Sequence, residues 1–289
     1  MKILVLGSKG QLGQCLNDQL AITEHDVVYT SRGQIDIAEF EVTKAQMLEI
    51  SPDIVINATA YTAVDKAEEE RQAADRINHL AVASIAGICD QLDCWLIHVS
   101  TDYVFDGNSE VPYKEDNPTN PQGVYGDSKL KGEGVIEASG CKYLIIRTAW
   151  VYSEYGNNFL KTMMRLGADR DELSIVGDQI GCPTYAQDIA KAIVSILSGL
   201  DLKGLSSGMY HYCGDESCSW YEFARAIFSE AEMRGLKSPS NIKSIMTVEY
   251  PTPAIRPAYS VLDCTKIEVM FDVTRSNWRD GIKTVIDRL

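Results

Sequence analysis

Tyr125 and Lys129 lie four residues apart in the segment VYGDSK, a spacing that sets both side chains on one face of a helix and within reach of a common ligand. A free tyrosine ionises near pH ~10, so a phenol that exchanges a proton near neutrality needs a cation to stabilise its phenolate. The lysine ammonium supplies one, and it can also hold the ribose hydroxyls of a nucleotide. Such a pair is frequent by chance, and alone it describes no more than a surface helix with a half-buried tyrosine. Ser100-Thr101 narrows the choice. They close the apolar run Trp95 to Val99, where a hydroxyl at the carboxyl end of a strand can bond a substrate carbonyl.

A second group of residues has the spacing of a dinucleotide site. The run Ile3 to Leu6 leads into Gly7-Ser8-Lys9-Gly10-Gln11-Leu12-Gly13, and a helical pattern begins at once. Glycines there let backbone approach a pyrophosphate, and the helix start can offer it free N–H groups. The next run ends in Tyr29-Thr30-Ser31-Arg32, with no carboxylate to hold a ribose 2′-hydroxyl and with an arginine able to pair with a 2′-phosphate. That favours NADP(H) as the cofactor, with NAD(H) as the alternative. The third run ends in Asn57-Ala58-Thr59-Ala60-Tyr61-Thr62, small and polar residues suited to lie along a cofactor, although packing alone accounts for Ala58 and Ala60.

The elements that must position these groups alternate along the chain. Strand candidates are Ile3 to Leu6, Val27 to Tyr29, Ile54 to Ile56, Trp95 to Val99 and Leu144 to Ile146, with helical stretches such as Gln72 to Leu92 between them. Continuous apolar strands joined by crossover helices require a parallel sheet covered on both faces. The expected fold is therefore α/β, a doubly wound parallel sheet of Rossmann type with a smaller C-terminal substrate lobe. Residues 1–150 are assigned to dinucleotide binding and 151–289 mainly to the substrate lobe, with some segments returning to the first. In the second half, helices are predicted at Asn158 to Ala168, Tyr185 to Leu197 and Ser219 to Arg234, followed by the proline-rich YPTPAIRPAYS at 250–260.

Composition excludes several functions. A formal net charge of −14 argues against a nucleic-acid partner, because phosphate backbones are held by clustered Lys and Arg. The eight cysteines form no C-x-x-C pair, which fits buried, chemically idle thiols in a reducing compartment. The four histidines stand far apart and read as core residues, with no zinc spacing. The opening MKILVLG is too short for a signal-peptide core or a membrane span, so no membrane partner and a cytoplasmic location are expected. Asp65 and Glu68-Glu69-Glu70 read as a helix N-terminal region and a solvated face.

Taken together, the chain resembles the extended short-chain dehydrogenases and, within them, the dTDP-4-dehydrorhamnose reductases. The likeness covers nearly the full length: GSKGQLGQ at 7–14, DIAE at 36–39, PDIVINATAYTAVDKAE at 52–68, HVSTDYVFDG at 98–107, VYGDSKLKGE at 124–133, RTAWVY at 147–152, GNNF at 156–159, DQIGCPTYAQDIA at 178–190 and YPTPAIRPAYSVLD at 250–263. The last three lie outside the generic cofactor fold and are the more specific signal. The resemblance implies that Thr101, Tyr125 and Lys129 form the catalytic set, with Asp102, Tyr103 and Trp150 facing a sugar nucleotide. It implies cofactor contacts from Gly10, Gln11, Leu12, Asp36, Ile37, Ala60, Tyr61 and Thr62, which join Gly7, Arg32, Ala58 and Val99. Asn157, Asn158, Lys161 and Arg256 are candidates for the diphosphate and thymidine end.

The implied reaction is reduction of the C4 carbonyl of a dTDP-4-keto-6-deoxysugar, the expected small-molecule partner. Magnesium is associated with the family, but no compact carboxylate cluster is present in the sequence, and no metal ligand is assigned. Self-association as a homodimer is left open. Two other chemistries share the fold. A dehydratase needs an acid and a base, often Asp-Glu after the threonine, whereas here Thr101 is followed by Asp102-Tyr103. An epimerase differs by retaining its cofactor. A non-catalytic regulatory subunit would be free to lose Tyr125 or Lys129, and both are present.

Overall fold

The computed structural model describes residues 1–199 and 206–289. The chain begins with β1 (Lys2–Leu6), α1 (Gln11–Leu20), β2 (Asp26–Thr30), α2 (Phe40–Ile50) and β3 (Ile54–Asn57). Next come α3 (Val64–Ala67), α4 (Arg71–Asp75), a π-type turn (Arg76–Leu80), α5 (Ala81–Leu92), β4 (Trp95–Thr101) and a 3-10 turn (Asp102–Val104). Then follow α6 (Val124–Ala138), β5 (Lys142–Thr148), β6 (Val151–Tyr152), α7 (Phe159–Asp169), β7 (Glu172–Val176), β8 (Ile180–Gly181), β9 (Thr184–Tyr185), α8 (Ala186–Gly199) and β10 (Gly208–His211). The chain ends through β11 (Cys218–Ser219), α9 (Trp220–Met233), β12 (Asn241–Ile245), α10 (Thr265–Phe271) and α11 (Trp278–Asp287).

Six strands form one parallel sheet in the order β10-β5-β4-β3-β1-β2. Its strands are apolar on both sides, as a sheet covered by helices on each face requires. Ile3 and Val5 pack into the layer shared with α1 and α8, while Leu4 and Leu6 pack with α5 on the opposite face. The expected doubly wound sheet is thus present, and the five strand candidates occupy it. The sixth strand, β10, comes from the second half of the chain, and α8 packs on α1.

The predicted single helix over Gln72 to Leu92 is interrupted by the π-type turn at Arg76–Leu80. The interruption has a cause at its centre. Asn78 receives Tyr61 N at 2.8 Å, donates to Tyr61 O at 3.1 Å and donates to Ser128 Oγ at 3.0 Å, so the turn clamps the loop after β3 to α6. Helix α6 reaches this turn because residue 132 is glycine; a Cβ there would lie 2.2 Å from Asn78 O.

The C-terminal lobe has its own core, built on Tyr152, Phe223 and Trp278 from β6, α9 and α11. Helix α9 starts in a capping box, in which Ser219 Oγ accepts from Glu222 N at 3.1 Å and Glu222 returns a carboxylate to Ser219 N at 2.8 Å. All eight cysteines are buried with free thiols. Among the described residues no helix is long and apolar enough to cross a membrane.

Candidate active site

The order of the strands reverses between β1 and β3, and the crevice that such a reversal opens lies beyond their carboxyl ends. Gly7 stands there at φ +85°, and a Cβ on it would lie 2.9 Å from Thr59 Cγ2. A Cβ on Gly13 would fall 2.1 Å from Gly7 O, so only glycine lets the first turn of α1 press against the loop. Gly10 caps α1 without a side-chain hydrogen bond, which leaves the helix start open to an anion. The adjoining cleft, about 310 Å³, is bounded by Gly7 and Gly10, by Arg32, Asp36 and Ile37 beyond β2, and by Ala58, Ala60 and Tyr61 after β3. This cradle fits a dinucleotide.

Not every expected contact faces that cleft. Leu12 turns its side chain into the core at 9% exposure, because it lies on the sheet-facing side of α1. Gln11 is drawn to the lobe instead, donating to Val151 O at 3.3 Å and accepting from Asn158 Nδ2 at 2.7 Å. Thr62 is exposed. Arg32 is at the rim with its side chain 84% exposed, and it is paired with Asp36 at 3.0 Å. Tyr61 gives its hydroxyl to Glu70 at 2.6 Å.

The catalytic candidates converge on the carboxyl end of β4. Thr101 Oγ1 donates to Asp102 Oδ1 at 3.0 Å and receives Tyr103 N at 3.3 Å, and α6 brings Tyr125 alongside. Gly126 permits this approach of α6, since a Cβ there would lie 2.2 Å from Tyr103 O. The rings of Tyr103 and Tyr125 meet edge to face with centroids 5.5 Å apart. Burial pushes the Tyr125 phenol up to about 12, with the Thr101 bond opposing and the Asp102 charge reinforcing the rise. Burial likewise raises Asp102 to about 6, against hydrogen bonds from Ser260 and Thr101.

Lys129 is one helical turn beyond Tyr125 and 1% exposed. Its Nζ donates to Val99 O at 2.7 Å and meets His98 Nε2 at 3.2 Å. Burial lowers its pKa to about 8, and Glu133 opposes that fall. His98, expected to be an ordinary core residue, is buried beside the lysine because β4 places it under α6. Its other ring nitrogen faces Asn57 Nδ2 at 3.1 Å.

At the lobe junction, Trp150 has a left-handed backbone at φ +47° and stacks on Trp220 with centroids 3.5 Å apart. A Cβ at Gly181 would lie 2.5 Å from its ring. Arg256 is closed on Asp65, at 2.7 and 3.1 Å. Asn157 is exposed, whereas Asn158 caps α7 by accepting Lys161 N at 3.1 Å. Lys161 Nζ goes to Glu154 O at 2.8 Å. The acidic segment is not simply a solvated face: besides the Asp65 pair, Glu68 accepts Val124 N at 2.8 Å and closes the start of α6.

Comparison with known proteins identifies the family. The family model described as RmlD substrate binding domain matches residues 1–289. A dTDP-4-dehydrorhamnose reductase of Aggregatibacter actinomycetemcomitans is 39% identical, covering 98% of each chain. The spore coat polysaccharide biosynthesis protein SpsK of Bacillus subtilis is 38% identical, over 98% of this chain and 95% of its own. A solved dTDP-4-dehydrorhamnose reductase from Clostridium acetobutylicum superimposes with a TM-score of 0.92 at 38% identity, over 100% of this chain and 99% of that one. Another from Bacillus anthracis, in complex with NADP, gives 0.91 at 36% over the same shares. With its glycine cradle, its Thr101-Tyr125-Lys129 cluster and these full-length matches, the chain belongs to the RmlD family, the dTDP-4-dehydrorhamnose reductase family of NAD(P)-dependent oxidoreductases.

Proposed function

We propose that this chain reduces the C4 carbonyl of dTDP-4-dehydro-L-rhamnose with NADPH, giving dTDP-L-rhamnose for cell-surface polysaccharide. The observation that carries the reading is the placement of Thr101 at the carboxyl end of β4, against which α6 packs with Tyr125 and Lys129 one turn apart. A carbonyl oxygen entering between the two hydroxyls accepts from Thr101, and Tyr125 gives its phenolic proton to the oxygen as charge develops there. When bound, the nicotinamide supplies the hydride. Lys129 holds the ribose hydroxyls and, when protonated, stabilises the phenolate left on Tyr125.

The loop from Gly7 to Gly10 and the first N–H groups of α1 hold the pyrophosphate. Arg32 turns from Asp36 to the 2′-phosphate, a choice supported by the NADP complex of the Bacillus anthracis relative. Asp102, Tyr103 and Trp150 line the deoxysugar. Asn157 and Arg256 take the diphosphate end, Arg256 by leaving Asp65, while Asn158 supports the lobe. Tyr103 stands where elimination would need a carboxylate base, so plain reduction is favoured over dehydration. Among the described residues no group of three or more His, Cys, Asp or Glu could hold a metal, and no step is assigned to magnesium.

The test is NADPH oxidation measured with a panel of dTDP-4-keto-6-deoxysugars. Turnover with the 4-dehydro-L-rhamnose nucleotide is expected to exceed that with its isomers. Equal or absent turnover with that sugar would reject the assignment.

A further inference from the structure

His98 lies at 0% exposure on β4, between Asn57 at the end of β3 and Lys129 on α6. The orientation of Asn57 is set independently of the histidine. Its Oδ1 accepts from Thr59 N at 3.1 Å and from Thr59 Oγ1 at 2.5 Å, so its amide nitrogen must be the atom that faces His98 Nδ1 at 3.1 Å. An amide nitrogen only donates, and Nδ1 therefore accepts. A neutral imidazole carries one N–H, which is left on Nε2, and Nε2 points at Lys129 Nζ across 3.2 Å.

An ammonium has three donors and no acceptor, so it cannot receive that N–H. A neutral amine can, with its lone pair toward His98 and one N–H on Val99 O at 2.7 Å. The charged groups around this contact leave the arrangement intact. Glu133, next along α6, is claimed by Arg147 of β5 through two hydrogen bonds of 2.9 and 2.7 Å, both residues being buried. Asp102, at the end of β4, takes the Thr101 hydroxyl at 3.0 Å. Tyr125, on α6 itself, packs its ring edge to face on Tyr103. Burial disfavours an imidazolium at His98.

We propose that His98 is a positioning residue whose Nε2–H donates to the lone pair of Lys129, fixing where the lysine points and favouring its neutral amine over the ammonium in the ligand-free protein. The lysine then becomes a cation by taking one proton from solvent, and His98 sets the pH at which it does so. The kinetic arm of the test rests on the reductase reading; the spectroscopic arm does not.

In ligand-free protein labelled with nitrogen-15 histidine, His98 should appear as the Nε2–H tautomer once the lysine has lost its proton, above about pH 8, its signals assigned by their loss in His98→Gln. An Nδ1–H tautomer or an imidazolium at this residue overturns the proposal, whatever sugar the enzyme reduces. In kinetics, the rate should fall as pH rises through the lysine pKa. His98→Leu should move that alkaline limb upward by about one pH unit, the size of one hydrogen bond to the neutral amine. His98→Gln, which keeps an N–H near the same point, should bring the limb back toward its original place. An unmoved limb in a folded His98→Leu enzyme rejects control of the lysine by His98, and if that variant does not fold, the tautomer decides.

Discussion

The side-chain amide of Asn158 donates to Gln11 Oε1 at 2.7 Å, so the first residue of α1 and the residue that caps α7 are tied together across 147 positions of chain. The same amide also reaches Ser153 O at 2.7 Å. The helix start assigned to the cofactor and the helix start of the lobe are thus held by one side chain. Asn158→Ala should lower stability by about 1–2 kcal/mol, read as a fall of several degrees in melting temperature, because cap and tie go together. Gln11→Ala should cost less. A double-mutant cycle should return a coupling of about 0.5 kcal/mol or more, and simple additivity would deny the tie.

Tyr125→Phe should reduce turnover by several orders of magnitude with cofactor affinity nearly unchanged, since only the proton donor is lost. Near wild-type rates would remove Tyr125 from the mechanism. Lys129→Met should both slow the reaction and weaken cofactor binding, because one group serves the ribose and the phenolate. Titration of NADPH into each variant separates the two roles.

Because Arg32 is paired with Asp36 at the mouth of the cleft, the two should have opposite effects on cofactor choice. Arg32→Ala should raise KM for NADPH on the order of ten- to a hundredfold, the worth of a charge-assisted phosphate contact, and leave NADH nearly unaffected. Asp36→Ala should free the guanidinium and tilt preference further toward NADPH. Equal changes for both cofactors in Arg32→Ala would assign the residue to the surface.

Trp150 carries two expectations, since it stacks on Trp220 and is assigned to the sugar pocket. Trp150→Phe should lower the melting temperature by several degrees, in line with a loss of about 1–3 kcal/mol, and should raise KM for the sugar nucleotide while leaving that for NADPH alone. A normal sugar KM in the folded variant would leave Trp150 with the packing role only.

The buried Asp102 carboxyl rises from 3.8 to about 6, so the folded state binds its proton more tightly than the unfolded chain does. Its contribution to stability is therefore present in full below pH 3.8 and lost as pH rises through about 6. At neutral pH the ionised group costs about 3 kcal/mol, and Asp102→Asn should raise the melting temperature there but not in acid. Thermal melts across that range check the sign; a gain that is the same at low pH would place the cause elsewhere.

The parts of this molecule that were legible in the sequence are those whose signal is local. Ile54 to Ile56 and Leu144 to Ile146 are buried on both faces and read as strands because no polar residue interrupts them. Tyr125 and Lys129 announce themselves by helical spacing. By contrast, β10 is the short segment GMYH, which becomes a strand only by pairing with β5. His98 looks like any histidine on an apolar strand, since its partners Asn57 and Lys129 are 41 and 31 residues away. Gly126 and Gly132 could have been found as small residues inside a helix, where glycine is costly unless another backbone comes close. The ties of Asp65 to Arg256 and of Gln11 to Asn158 span far more chain than any periodicity reaches.

The position of β10 at the edge of the sheet also bears on how the protein is made. A ribosome that has released only the first five strands presents β5 as an open edge, its Leu144, Ile145 and Ile146 in place but its outer hydrogen-bonding groups unpaired. Closure waits for residues 208–211, and the layer over α1 waits for α8, so the edge and one face of the nascent sheet are incomplete until much of the second half has emerged. During that interval β5 offers an unpaired strand edge to any neighbouring chain, the kind of edge through which partly folded species associate.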